Sequence, residues 1–352
     1  MRQLTYLQAG SLEWREVPEP SLESERAAVV RPVAVATCDL DLAYLRGKAP
    51  IPGPFAFGHE FIADVVEVGG EVSSVRAGDR VVVPFQVTCG ECDRCRRGLT
   101  SSCTGVEPRR AMYGLGTVVG RDWGGAMSDR VLVPYADAML VPLPAGIDPV
   151  AVASMSDNLP DAWRTVARPL REQPGANVLI VAGGAPSIGL YAAAMAVALG
   201  AGSVEYIDVD HGRLQLAQDL GATVVEGPPP QRRARRAVTV DASAQPAGLA
   251  CALRSTEPGG VCTSVGIYYS DEVPVPLLTM YTYGVTFITG RVDARPLIPE
   301  VLDAVVSGKL QPERVTSRVV GWDDAAEALL DPDINKLVMV PGAAGVAAGG
   351  PA

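Results

Sequence analysis

The sequence predicts an α/β protein built in two parts, a β-rich half followed by a half with a doubly wound parallel sheet. Two observations carry this. Near residue 150 the rhythm changes, from short apolar strands punctuated by glycine and proline to strands alternating with helices. The length of 352 residues is also enough for two separate hydrophobic cores.

In the first half, apolar runs at 27–35, 61–68, 79–84, 131–134 and 139–142 read as strands. Gly69-Gly70 and Ala77-Gly78-Asp79 supply turns between them. No long helical period precedes residue 150. Residues 149–166 then predict an amphipathic helix interrupted at Pro160. The continuous apolar run 177–182 has the composition of a buried parallel strand. A glycine-rich turn and a helix of small residues, 188–199, follow it. A strand at 203–208, a helix at 211–220 and strands at 222–225, 237–241 and 260–265 continue the alternation, which means βαβ units in a doubly wound sheet. The last segment predicts a helix at 299–307 and a strand at 337–340. The Gly/Ala/Pro composition of 342–352 predicts a disordered tail.

Charge and cysteine usage narrow the function. A net charge of -10 disfavours nucleic acid as a partner, because phosphate binding needs a basic face. The one basic cluster, Arg232, Arg233, Arg235 and Arg236 after three prolines, reads as a solvated loop. No apolar run reaches membrane-spanning length and the N-terminus lacks a signal-peptide core, so no membrane partner and a cytoplasmic location are expected. Seven cysteines with four clustered fit reduced thiols and metal rather than disulfides. The cluster is Cys89-x2-Cys92-x2-Cys95-x7-Cys103. Four thiolates on one short loop can close a tetrahedron around zinc, with an iron–sulfur cluster as the weaker alternative, and a closed site is structural. Cys251 and Cys262 read as packing residues.

Two further motifs carry chemistry. His59, one of two histidines, stands in Gly58-His59-Glu60 just before an alternating apolar run, with Cys38 upstream. Imidazole is a common zinc ligand, and an adjacent carboxylate can ligate or orient it. Residues 178–189 read as strand, tight turn and helix. Gly183, Gly184, Pro186, Ser187, Ile188 and Gly189 form the turn that would bring backbone N–H groups to a pyrophosphate. Counted back from Gly189, the Gly-x-Gly-x-x-Gly frame has Pro186 at its middle glycine. Asp208, about twenty residues on, would accept the ribose hydroxyls and repel a 2′-phosphate, favouring NAD over NADP; Arg213 lies close enough to soften that preference. His211 flanks the next helix and reads as a surface residue.

Together these motifs resemble the zinc-dependent alcohol dehydrogenases of the medium-chain dehydrogenase/reductase superfamily, over nearly the whole chain. The resemblance implies a GroES-like (chaperonin-10-like) catalytic domain over 1–150 and 288–341, with a structural-zinc lobe at about 86–106. It implies a Rossmann NAD-binding domain over 151–287. A catalytic zinc would be held by Cys38, His59 and Asp157, with Glu60 able to swing onto it and Asp41 just outside its ligands. Two zincs per chain, NAD, a small alcohol or carbonyl substrate and a homodimer or homotetramer are expected.

By the same resemblance, Val265, Gly266 and residues 289–291 touch the nicotinamide half, and Lys336 meets the pyrophosphate. Asp161 or Trp163 would line the nicotinamide side, while Leu40, Ala43, Tyr113 and Trp123 would shape an apolar pocket. The sequence also departs from the family. Leu40 stands where a hydroxyl usually relays the alcohol proton, Ala43 where a histidine passes it to solvent, and Ala63 where the signature has glycine. Asp39, Glu60 or a water would have to serve as acceptor instead. The departure leaves open a double-bond reductase or biosynthetic enzyme of the same fold. It also leaves open a zinc-stabilised nucleotide-binding protein without turnover, although the retained Cys38, His59 and Asp157 argue against that.

Overall fold

The computed structural model describes residues 1–107 and 110–342. The chain divides into two compact units. One comprises Met1–Pro160, Asp293–Val306 and the chain from Thr316 on; the other comprises Asp161–Val292 and Ser307–Val315.

In the first unit the main sheet runs in the order Arg318–Gly321, Leu337–Val340, Ala28–Ala36, Glu60–Val68, Arg80–Val83, Val141–Pro142, with Val131–Val133 paired to Ala28–Ala36. Its central strands are valine- and alanine-rich and nearly continuously buried. Pro32, which has no N–H to give a ladder, sits where the register shifts in a bulge. That register positions chemistry. Ala36 pairs with Glu60 and Val35 with Phe61. Cys38, just past the end of one strand, therefore falls beside His59, just before the start of the next. The strand Leu337–Val340 pairs Val338 with Ala36, which brings Lys336 to the same end of the sheet. A small second sheet joins Ser11–Glu16, Arg2–Gln8 and Phe55–Ala56.

In the second unit the sheet is parallel throughout, in the order Thr223–Glu226, Val204–Asp208, Val178–Val181, Arg236–Asp241, Thr256–Ser264, Thr286–Thr289. Strand order reverses between Val178–Val181 and Arg236–Asp241, so the crevice outside their carboxyl ends is the ligand-binding position of such a sheet. The helices Pro186–Ala198, His211–Asp219 and Pro246–Arg254 connect the strands.

Some elements differ from the sequence expectation. In place of one interrupted helix over 149–166 there is a 3-10 turn, Ala153–Ser156, and then a helix, Asn158–Glu172. Pro160 lies in that helix's first turn, where a missing N–H costs nothing. The strand Thr286–Thr289 pairs in parallel with Thr256–Ser264 and so belongs to the second unit, although the first domain was expected to resume at 288. The later helix is longer than expected, Ala294–Val306. Of the tail 342–352, all but Gly342 lies outside the described residues.

Candidate active site

Cys38 is the N-cap of the helix Asp39–Leu45, and Asp41 in the first turn accepts the Cys38 backbone N–H at 2.8 Å. This is half of a capping box, and it fixes the direction in which Cys38 leaves its strand. The other Asp41 oxygen lies 3.3 Å from His59 Nδ1 and accepts the Tyr44 hydroxyl at 2.9 Å. A carboxylate behind Nδ1 sets the tautomer that presents Nε2 as a lone pair. Asp157 arrives from the 3-10 turn, which Ser156 pins to the strand Glu60–Val68. The Ser156 hydroxyl accepts the Phe61 N–H at 2.9 Å and donates to the Phe61 carbonyl at 3.0 Å.

The potential ligand atoms of Cys38, His59 and Asp157 all lie within 4.8 Å of one another. Asp157 Oδ2 is 3.4 Å from Cys38 Sγ and 3.5 Å from His59 Nε2. Zinc bonds of the usual lengths give tetrahedral edges of about 3.6 Å, so these spacings fit one ion. Both ring nitrogens of His59 are buried, and among the described residues neither makes a well-aligned hydrogen bond, although the Asp41 and Asp157 carboxylates lie 3.3 and 3.5 Å away. Burial and the Asp157 carboxylate push the Cys38 thiol up. At His59 burial acts downward, but the Asp41 and Asp157 carboxylates outweigh it and hold its pKa well above the ordinary value. The pocket's field therefore favours a cation. A sulfur, a nitrogen and an oxygen donor leave a fourth position for an exchangeable ligand, as catalytic zinc sites do.

The structure does not bring Glu60 into this set. Its carboxylate is buried away in an ion pair with Lys336 at 2.9 Å, and its other oxygen accepts the Asn158 N–H at 3.1 Å. Burial raises its pKa to about 7 against the pull of Lys336. Lys336 corrects a second expectation. Its ammonium is fully buried, donating to the Thr37 carbonyl, Glu60 and Asn158 Oδ1, so it is not held out to a pyrophosphate. Asp39 is buried on the first helical turn beside Cys38, outside the cluster of ligand atoms. Tyr113 is a core residue whose hydroxyl donates to the Leu132 carbonyl at 3.0 Å. Trp123 packs under the Arg121 guanidinium at a surface hollow lined by Met1, Gln3 and Pro20. Leu40 and Ala43 are half-buried on the Asp39–Leu45 helix.

The four cysteines of the lobe also converge within 4.8 Å. Cys103 Sγ lies 3.6 Å from Cys89 Sγ and 3.9 Å from Cys92 Sγ. Backbone N–H groups of Cys95 and Thr104 donate to Cys92 Sγ at 3.5 and 3.4 Å. Burial acts to raise the Cys92 pKa, but these bonds prevail and lower it to about 5. A sulfur held as thiolate by amide donors is the form a metal needs. Gly105 is required here, since a Cβ on it would stand 2.4 Å from Cys89 Sγ.

In the second unit the turn after Val178–Val181 rests on its neighbour. The Gly184 and Ala185 N–H groups donate to the Ser243 and Ala242 carbonyls at 2.8 and 2.9 Å. A Cβ on Gly184 would meet Ala244 Cβ at 2.7 Å, and one on Gly266 would meet the Ala244 backbone at 2.8 Å. Pro186 opens the helix Pro186–Ala198, and Ser187, Ile188 and Gly189 follow in its first turns. The missing middle glycine is thus a proline at a position suited to it. Asp208, buried at its strand's end, accepts the Arg213 guanidinium through two bonds of 2.7 Å and the Val209 N–H at 2.7 Å. Val265 donates its N–H to the Asp241 carbonyl. Asp161 pairs with Arg164 at 2.5 Å, and Arg164 also donates to the Gly290 carbonyl at 2.8 Å. His211 is exposed, as expected, with Glu226 at 3.7 Å.

Sequence reasoning missed Tyr44, Ser156 and Asn158. Tyr44 was within reach, standing three residues after Asp41 on one helix face. Asn158 and Ser156 flank a proposed ligand but carry no motif of their own.

Comparison with known proteins agrees with the two-part fold. Residues 24–145 match the alcohol dehydrogenase GroES-like domain, and residues 187–307 match the zinc-binding dehydrogenase domain. A "probable zinc-binding alcohol dehydrogenase" of Mycobacterium tuberculosis is 31% identical over 333 residues, 93% of this chain and 84% of the relative. The glutathione-independent formaldehyde dehydrogenase of Pseudomonas aeruginosa is 34% identical over 235 residues, 64% of this chain and 58% of its own length. The structure of the alcohol dehydrogenase TADH from Thermus sp. ATN1 superposes with a TM-score of 0.88 at 29% identity, covering 97% of this chain and 100% of that one. The chain belongs to the zinc-dependent alcohol dehydrogenase family of the medium-chain dehydrogenase/reductase superfamily.

Proposed function

We propose that this oxidoreductase holds two zinc ions per chain and exchanges a hydride between a small alcohol, or its aldehyde or ketone, and NAD. The observation that carries the reading is the convergence of Cys38, His59 and Asp157 from three separate segments on one buried point. A structural protein would need only the cysteine lobe. A zinc held by these three supplies Lewis acidity toward the substrate oxygen. The chain's own groups do the rest. Asp41 and Tyr44 keep the His59 ring oriented, and Ser156 keeps the Asp157 segment on the sheet. Of the proton acceptors expected from the sequence, Glu60 is withdrawn by Lys336 and Asn158, which leaves Asp39 and water. Support for NAD comes from Asp208: its carboxylate closes the second strand, and Arg213 is spent on it rather than offered to a 2′-phosphate.

Leu40 favours a second reading, reduction of a polarised double bond, because that reaction needs no alcohol-proton relay at this position. Self-association is part of the proposal and rests on the exposed edge of the second unit's sheet; a reducing compartment fits seven free cysteines.

The test is zinc per chain before and after mild chelation, with NAD- and NADP-linked turnover measured on alcohols, aldehydes and enones. Two zincs, one labile and needed for alcohol turnover with NAD, is the expected result. A single tight zinc with undiminished turnover would overturn the metal chemistry, and turnover confined to enones would favour the second reading.

A further inference from the structure

Asn158 sits between a proposed metal ligand and a buried lysine, and its amide has one orientation consistent with both. The Lys336 ammonium has only donors, so the Asn158 atom 2.8 Å from it must be the carbonyl Oδ1. The other end of the amide is then Nδ2, which donates to Cys38 Sγ at 3.3 Å. The frame around it is closed. The Asn158 N–H donates to Glu60 Oε1 at 3.1 Å, Glu60 Oε2 receives Lys336 at 2.9 Å, and Lys336 also donates to the Thr37 carbonyl, one residue before Cys38. Asn158, Glu60 and Lys336 are wholly buried, so no solvent competes for these bonds. An asparagine at a helix start usually turns its oxygen onto its own helix as a cap. This oxygen accepts from Lys336 instead.

We infer that Asn158 is a positioning residue for the Cys38 sulfur, with Lys336 holding its amide so that the N–H faces the thiolate. The inference rests on the reading of Cys38 as a metal ligand. A hydrogen bond to a sulfur ligand draws charge from it, so the sulfur donates less to a bound cation and the cation becomes the stronger Lewis acid. In this chain the effect has a place to matter. Leu40 and Ala43 carry no hydroxyl or imidazole, so acidifying the substrate falls more heavily on the metal and its ligands. Asn158 and Lys336 lie far apart in sequence, and only the pairing of Leu337–Val340 beside Ala28–Ala36 brings them together.

The test replaces zinc by cobalt(II) in the full-length protein and reads the sulfur-to-cobalt charge-transfer absorption. The contribution of Cys38 is the difference from the cobalt-loaded Cys38→Ser variant, because the four cysteines of the lobe are common to both. Removing the donor in Asn158→Leu should move the Cys38 band to lower energy while the lobe's absorption stays in place, which also reports that the variant is folded. Lys336→Met, which frees the amide to rotate, should move the band in the same direction. A band at the wild-type energy in Asn158→Leu would overturn the inference and leave the metal site standing. A shift in Asn158→Leu with none in Lys336→Met would overturn the role given to Lys336. No difference between wild type and Cys38→Ser would remove the reading of Cys38 as a ligand, and the inference with it.

Discussion

Asp41 touches two of the three proposed metal ligands. One oxygen fixes the turn that carries Cys38 and the other faces His59 Nδ1. Alanine at this position would free the imidazole to rotate and leave a buried Tyr44 hydroxyl without its acceptor. Asp41→Ala should weaken zinc binding at the proposed Cys38, His59 and Asp157 site by about 10- to 100-fold, the usual cost of losing such a partner, and leave binding at the cysteine lobe unchanged. Competition with a chromophoric chelator measures both; equal affinity in variant and wild type would remove Asp41 from the account. The contrast between Asp41 and Lys336 shows what the sequence can and cannot say about single residues. Asp41 was placed by the family resemblance alone, because the helix that carries it, Asp39–Leu45, is too short to show a period in the sequence. Lys336 was misread because its partners, Thr37, Glu60 and Asn158, come from segments that meet only when three strands pair.

Among the elements, the cysteine lobe was legible almost in full, because four ligands within one short loop leave the chain little choice. What the spacing did not reveal is the crowding at Gly105. Gly105→Ala would place a methyl group 2.4 Å from Cys89 Sγ and 3.1 Å from its Cβ, so Cys89 makes room only by turning its sulfur from its present place in the lobe. That variant should lose zinc binding at the lobe and melt at a lower temperature, as metal analysis and calorimetry would show; full zinc retention would mean the loop relaxes around the added carbon. The helix Ala136–Met139 makes a different kind of contact. Its Asp137 accepts the backbone N–H and hydroxyl groups of Ser73 and Ser74, all within 3.1 Å. Burial acts to raise its pKa, but those bonds dominate and lower it to about 2 from an ordinary 3.8. A carboxyl depressed in the folded state gives stability that is full above its unfolded value and lost as pH falls toward 2. Asp137→Asn should therefore lower the urea midpoint at neutral pH, and its deficit against wild type should shrink on acidification below pH 3.8. A deficit independent of pH would assign the loss to packing. The strand-and-helix alternation after residue 150 was legible for a physical reason too: buried parallel strands must be continuously apolar, and that pattern survives without knowledge of the partner strand. The position of Thr286–Thr289 was not, because a short edge strand with one half-buried residue carries too little pattern to assign it to either sheet.

For the molecule as a whole, that edge strand is where association between copies would occur. Thr286–Thr289 ends the parallel sheet of the second unit, and Ile288 on it is exposed. The preceding helix, Leu277–Tyr283, has no buried residue, and Leu277, Leu278 and Tyr281 are 68%, 80% and 85% exposed. An open edge offers unpaired backbone donors and acceptors, and proteins usually shorten, charge or cover it. Here it is short but uncharged, and it lies beside apolar side chains of a size that normally marks an interaction site. A second copy can satisfy both at once. Two such edges related by a twofold axis pair antiparallel, and the two apolar helices meet in one isologous contact. The double variant Leu278→Asp with Tyr281→Asp would place four like charges in that contact, so a dimer formed through it should be lost in the variant. Its zinc content should match wild type, because the proposed ligands belong to the other unit. Light scattering coupled to size exclusion, with metal analysis of the same fractions, decides it. A wild-type monomer at micromolar concentration, or a variant that remains dimeric, would mean that this edge is not the one that associates.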